Sequence, residues 1–476
     1  MTKIGISNRD DIFDEKMMIP EDFVKRIHTQ KYIDAESLLK ALSEPSPVSI
    51  RINRAKWKKK PATCKRVPWS ENGFYLTDRP SYTLDPLFHS GCYYPQEASG
   101  MFLEQMIKQL CETTGTLRIL DLCAAPGGKS TLLSEIIGPD NLLVSNDAIR
   151  SRSAILAETI TKWGYGNTLV TQNDPAAFAK LPGYFDVIFV DAPCSGEGMF
   201  RSDIAIKEWS VSNTIHCAER QKRILMGVWP SLKENGLLVY STCTFNPGEN
   251  EDNIKWLVRK KEAQSLRIDT SAFEGINEID FEGIYGYGIY PGKVRGEGFF
   301  ISAIRKTGKQ GTLKIKSQRR SDLHLAPDDI TIANRWTSFS KDRLFRWSDE
   351  VFAVPCSMEE YLYLYGNLKM VKTGTKVFTV KNKSYLPSHE LALSTGLKKE
   401  AFPAIEADLI AALKYMKRDT LKINDIIKGW NILTYKGIDI GFINNLGNRI
   451  NNYFPVEWRI KMDLPESGNE NIIGWE

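Results

Sequence analysis

Between residues 117 and 305 the chain alternates short, continuous apolar runs with stretches of helical period. Leu117–Leu122, Leu142–Asn146, Leu169–Thr171, Phe185–Val190, Leu237–Tyr240 and Gly298–Arg305 read as strands. Ser130–Ile137, Ser151–Trp163 and Cys217–Leu232 read as helices between them. Strands apolar on both faces, alternating with helices, predict a parallel, doubly wound α/β sheet. Upstream, Pro20–Leu42 has helical spacing and Val48–Asn53 alternates like a strand, which predicts a small α+β lobe over residues 1–85. The sheet domain then spans 86–307, a basic linker 308–320, and a further region 321–476. Within that last region Gly429–Ile460 reads as a compact β-rich module bearing aromatics and arginines.

Composition narrows the class. A hydrophobic content of 42% and a charged content of 25% describe an ordinary globular chain. No apolar run approaches the ~20 residues that span a bilayer, and Met1–Pro20 lacks the apolar core of a signal peptide. A cytoplasmic monomer, away from membranes, is expected. The eight cysteines include no Cys-x-x-Cys pair and the five histidines are scattered, so neither a disulfide framework nor a zinc or other metal site is expected.

The net charge is only +5, but its distribution matters more. Arg51–Arg66 holds eight Lys/Arg and Arg305–Arg320 seven, both without an acid. Two acid-free basic runs flanking the central domain point to a polyanionic partner, because clustered cations release phosphate counterions.

Candidate chemistry sits at strand ends. DLCAAPGGKS (Asp121–Ser130) follows the first central strand and leads into a helix; its small residues let backbone approach a ligand closely. It is not a phosphate-binding P-loop, since Cys123 stands where glycine is required, and G-x-G-x-x-G is absent. Asp147, Asp174 and Asp191 end the next strands. The first lies at the distance suited to ribose hydroxyls, the second is placed to accept from an exocyclic amine, and together they would favour a cationic nucleoside. Each is also a plausible helix cap when taken alone. Cys194 and Cys243 follow two of the strands, where open α/β sheets place ligands, and suggest thiol addition to an electrophilic ring.

CAAPGGKS (Cys123–Ser130), DAPCSGEG (Asp191–Gly198), STCTFNPGENE (Ser241–Glu251), GEGFF (Gly296–Phe300) and the upstream YYPQEASGM (Tyr93–Met101) together resemble the NOL/NOP/Sun family of RNA cytosine-5 methyltransferases. The resemblance implies a Rossmann-like methyltransferase domain that uses S-adenosylmethionine. It puts cofactor contacts on Cys123, Ala124, Ala125, Pro126, Gly127, Gly128, Lys129, Asp147, Asp174 and Asp191, with Arg152 a weaker candidate. It also implies that Cys243 attacks cytosine C6, that Cys194 assists product release, and that Asp191 holds the ring N3 and amino group. Analogy with DNA cytosine-5 methyltransferases would instead give the attack to Cys194. LPSHELALS (Leu386–Ser394) and NNYFPVEWRI (Asn451–Ile460) resemble the PUA-like extension of members acting on small-subunit ribosomal RNA. One departure is visible: Gly292 follows Pro291 where the family commonly has histidine. The expected activity is therefore RNA cytosine-5 methylation of ribosomal RNA. The same reaction on transfer RNA, or a catalytically silent RNA-binding assembly factor, are the alternatives.

Overall fold

The computed structural model describes residues 18–111, 115–309, 315, 323–382, 384–421, 423, 426–464 and 471–476. Most of the basic linker proposed for 308–320 lies outside them.

The first lobe is a four-stranded sheet in the order β2-β3-β1-β4, with β1 Ser49–Ile52, β2 Cys64–Arg66, β3 Gly73–Leu76 and β4 Tyr93–Pro95. Its sheet thus takes in residues past 85. The helical stretch read over Pro20–Leu42 is two helices, Glu21–Ile27 and Ala35–Leu42. Asp34 breaks the run because its carboxylate caps the second helix, accepting from Ser37 N.

The central sheet has ten strands. Five are parallel: β5 Arg118–Asp121, β6 Leu142–Asn146, β7 Thr168–Thr171, β8 Phe185–Asp191 and β9 Leu232–Thr242, in spatial order β9-β8-β5-β6-β7. The flanks are antiparallel, which corrects the wholly parallel expectation. On one side β13 Phe299–Lys306 pairs with β9; β10 Ala263–Leu266 and β12 Tyr285–Ile289 share its outer edge, and β11 Ile276–Asp280 pairs with β12. Helix Glu251–Lys260 joins β9 to β10, but from β10 to β13 the connections are hairpins and short returns, too brief for the helical crossover that parallel pairing needs.

The helix read as Cys217–Leu232 runs instead over Val211–Val228. Ser210 caps its start, and Trp229-Pro230 ends it in a short 3-10 turn before β9 begins. Helices cover both faces of the sheet and bury two separate cores. One holds Leu120, Val144 and Ile188 with Phe23 and Leu42 of the first two helices, the other Ile119, Leu143 and Val187 with Met101 and Phe102.

The region after residue 320 contributes two further four-stranded sheets and one strand to the centre. β14 Leu344–Trp347, β15 Glu350–Ala353, β17 Thr375–Lys381 and β18 Ser384–Pro387 form the first. β16 Met370–Lys372 adds antiparallel to β7. β19 Ala404–Glu406, β20 Gly429–Tyr435, β21 Ile438–Asn445 and β22 Ile450–Asn452 form the last sheet. That sheet shares a core with the first lobe, where Ile50, Ile52 and Trp57 pack with Leu413, Tyr415 and Ile440. Among the described residues no helix is long and apolar enough to cross a membrane.

Candidate active site

The carboxyl ends of β5 to β9 open onto a cavity of about 1010 Å3. Cys123, Ala125, Asp147, Arg152, Asp174, Asp191, Cys194 and Cys243 all line it. Pro126, Gly127 and Gly128 of the predicted cofactor loop serve elsewhere, whereas Lys129 reaches the Asp191 carboxylate in that wall. Pro126 lines a neighbouring cavity. A Cβ on Gly127 would stand 2.8 Å from Thr159 Cγ2, and one on Gly128 2.9 Å from the Tyr94 ring; Gly127 also has φ +115°. Those two glycines therefore let the loop pack closely against helix Arg150–Trp163 and the first lobe.

The two thiols face one another. Cys194 Sγ lies 3.0 Å from Cys243 Sγ, and Cys243 N–H donates to Cys194 Sγ at 3.3 Å. The hydrogen bond to Cys243, reinforced by burial, pushes the Cys194 thiol well above its ordinary range. Its proton is held tightly.

Asp191 ends β8 between two partners. Lys129 Nζ is 2.8 Å from Oδ2, and Ser241 Oγ donates to Oδ1 at 2.7 Å. Burial would lower the Lys129 pKa, but the charge and hydrogen bond of Asp191 outweigh it and raise it. Asp147 accepts from Ile149 N at 2.9 Å and faces Arg152 Nη2 at 3.3 Å; Arg152 also donates to Ala125 O. Asp174 caps the turn Pro175–Lys180 through Ala176 N while lining the cavity. Behind the loop, Asp121 is fully buried with only Ser130 Oγ on Oδ2, and burial pushes its carboxyl up to about 7.

Three glutamates that the sequence reading left without a role, Glu249 and Glu197 buried and Glu97 half-buried, fix the loops. Glu249 accepts from Ser195 N (3.0 Å), Ser195 Oγ (2.5 Å) and Gln221 Nε2 (2.9 Å), which ties the Cys194 loop to the loop after β9. Glu197 accepts from Arg26 Nη2, Trp209 Nε1 and Phe245 N. Glu97 accepts from Ser99, Gly100 and Glu297 N–H groups. Gly198 and Gly298 cross so closely that a Cβ on Gly198 would stand 2.6 Å from Gly298 O. A glutamate inside three of the quoted motifs was the available signal; the partners come from other segments and were not legible.

The basic run Arg51–Arg66 divides. Arg51 is fully buried, ion-paired to Glu135 at 2.6 Å and stacked 4.4 Å over Trp163, while Lys56 Nζ donates to Ser90 O and Lys162 O. Both are structural cations, Arg51 on β1 and Lys56 in the turn after it, each held against the central domain; Lys58, Lys59, Lys60, Lys65 and Arg66 remain exposed. Gly292 has φ +90°, and a Cβ there would lie 2.6 Å from Ser37 O, so no histidine fits at this position. Among the described residues no group of His, Cys, Asp or Glu could hold a metal ion.

Three family models match consecutive parts of the chain. They are the N-terminal domain of 16S rRNA methyltransferase RsmF over 19–98, 16S rRNA methyltransferase RsmB/F over 109–305, and the methyltransferase RsmF PUA domain over 402–460. Ribosomal RNA small subunit methyltransferase F of Vibrio parahaemolyticus is 30% identical, covering 92% of this chain and 97% of its own length. The chain belongs to this methyltransferase F family. The Klebsiella pneumoniae member is 28% identical over 92% of this chain and 96% of its own. A crystal structure of a methyltransferase homolog from Pyrococcus horikoshii matches 60% of this chain and 94% of its own, with TM-score 0.50 and 28% identity. The NSun6 structure from the same organism shares the fold, with TM-score 0.50 and 21% identity over 60% of this chain and 97% of its own. Family membership accords with the three-part layout of a first lobe, a Rossmann-like methyltransferase domain and a PUA domain.

Proposed function

We propose that this chain is a cytoplasmic, monomeric RNA (cytosine-5) methyltransferase that uses S-adenosylmethionine and acts on small-subunit ribosomal RNA. The observation that carries the reading is the Cys194–Cys243 thiol pair beside Asp191, in one cavity with Asp147 and Asp174. The cavity suits the cofactor: carboxylates for hydroxyls, an amine and a cationic sulfonium, and the small residues Cys123, Ala125 and Ala148 where a nucleoside must approach backbone. When bound, S-adenosylmethionine supplies an electrophilic methyl group.

Cytosine C5 is a weak nucleophile, so the residues must first activate the ring. Cysteine attacks as its thiolate, and a Cys194 thiol that keeps its proton can donate S–H to the Cys243 sulfur, which supports Cys243 as the nucleophile. The Cys243 sulfur forms a bond to C6, the C5–C6 double bond opens, and its electron pair makes C5 nucleophilic toward the methyl group. Asp191 accepts from the ring amino group and orients the base, with Lys129 holding the carboxylate in place. After transfer the C5 proton leaves to water, the C5–C6 double bond re-forms, and the C6–S bond breaks with its electrons returning to Cys243. The Cys194 S–H, 3.0 Å away, hydrogen-bonds the departing thiolate. A stacked duplex buries the target base, so the cytosine must be unpaired or turned out.

Bisulfite sequencing of total RNA from a strain lacking this chain, set against its parent, tests the reading. A 5-methylcytosine lost from small-subunit ribosomal RNA supports it. Loss from transfer RNA would move the substrate, and no loss together with no donor binding would leave a silent assembly factor.

A further inference from the structure

A second cavity, of about 440 Å3, lies on the other side of the Cys123–Gly127 loop. Pro126 is in its wall, while Ala125 is in the wall of the first cavity. Helix Arg150–Trp163 borders both, with Arg152 at the first and Ile155 and Glu158 at the second. The first lobe closes one side through Phe88 and Tyr93, and the last module another through Glu457 and Trp458. All three regions matched by separate family models therefore meet around this space.

Its chemistry is that of a flat, neutral ring. Lys162 Nζ lies 5.6 Å from the Phe88 ring centre and 5.4 Å from that of Trp458, but Glu158 pairs with it at 2.5 Å and Glu457 adds a further acid. With its one cation neutralised, the cavity disfavours a phosphate. Phe88, Tyr94 and Trp458, all partly exposed, line it, so a planar group that enters meets aromatic faces. Stacking on such faces is how unpaired bases are held, and it needs no charge in the wall.

We infer that this cavity holds a second unpaired base of the substrate RNA, a neighbour of the target cytosine, and so fixes the register of the strand on the enzyme. The inference rests on the proposed RNA substrate. Ile149, Arg152 and Ile155 lie on the exposed side of the helix between the two cavities, with Ile149 and Ile155 52% and 53% exposed. Six residues of helix rise about 9 Å, a span that a short single-stranded segment can follow, with apolar contacts for bases and one cation for its backbone.

The test uses the full chain and small ribosomal subunits from a strain that lacks it. Base reactivity is mapped by chemical footprinting at protein concentrations that saturate each variant, and steady-state methylation is measured alongside. The expected result is one unpaired base, distinct from the methylated cytosine, protected by the unaltered chain and left reactive by Trp458→Ala and by Ile155→Glu. Ile155 is exposed, so its substitution spares the fold. KM for subunits should rise about tenfold with kcat little changed, as the loss of one base stack implies. Unchanged protection and KM in both variants, while the unaltered chain methylates normally, would overturn this inference alone. If the unaltered chain neither protects nor methylates the subunit, the proposed function falls and this inference with it.

Discussion

Lys129 Nζ stands 2.8 Å from Asp191 Oδ2, so the lysine of the Gly-rich loop reaches across from β5 to the carboxylate that ends β8. Its pKa is raised, and it remains a cation throughout the neutral range. Lys129→Met removes that partner and leaves Asp191 free to turn from the base. The expected loss in kcat is about 100-fold, the order found when one preorganised electrostatic contact is removed. Lys129→Arg, which keeps the charge, should recover part of it. Single-turnover methylation with matched circular dichroism spectra checks this; equal rates for Lys129→Met and the unaltered chain would remove Lys129 from the site.

Glu249 joins Ser195 and Gln221 and thereby sets the backbone that carries Cys194. Glu249→Ala strands those buried donors at a cost of about 1–3 kcal/mol, read as a lower urea midpoint, and methylation should fall with it. Glu249→Gln keeps two acceptor positions and should restore most of the stability. Equal effects of the two variants would mean that the carboxyl geometry is irrelevant.

Asp121 makes stability depend on pH. Its carboxyl is raised from the ordinary 3.8 to about 7 by burial, so between those values the folded chain keeps a proton that the unfolded chain has released. The unfolded state then binds fewer protons, and stability falls as pH rises from about 4 to about 7. The displacement is worth roughly 4 kcal/mol at most. Asp121→Asn, neutral at every pH, should flatten this fall and make the chain more stable than the original at pH 8. Urea titrations across that window measure it, and parallel curves for both proteins would contradict it.

Arg51 tests the division of the basic run. Removing one partner of its buried pair with Glu135 should destabilise by about 3–5 kcal/mol, whereas Lys59→Ala on the exposed part should leave the unfolding midpoint in place and weaken RNA binding with a smaller salt slope. Arg51→Met with an unchanged midpoint would return Arg51 to the surface set.

The legible parts of the fold were those written locally. Runs such as Phe185–Val190 are apolar on both faces because helices cover both sides of the sheet, and their strand ends carry the acids and thiols of the cavity. β12, Tyr285–Ile289, was hidden because its alternating glycines break the strand signature, and it owes its conformation to pairing with β13. The break before Ala35 turned on the capping bond of Asp34, which helical periodicity does not register. In the site, Asp191, Cys194 and Cys243 were readable from position alone. Glu249 was not, since its partners lie 28 and 54 residues away in sequence. Arg51 misled for a related reason, as its countercharge is 84 residues distant.

The division of labour between the two thiols is the central claim, and trapping the covalent RNA adduct tests it most directly. Undermethylated small-subunit RNA and S-adenosylmethionine are incubated with each variant and resolved on a denaturing gel. Cys194→Ala should accumulate a protein–RNA adduct because the departing thiolate has lost its donor, and Cys243→Ala should give neither adduct nor methylated product. An adduct that persists in Cys243→Ala and vanishes in Cys194→Ala would contradict the account and give the attack to Cys194.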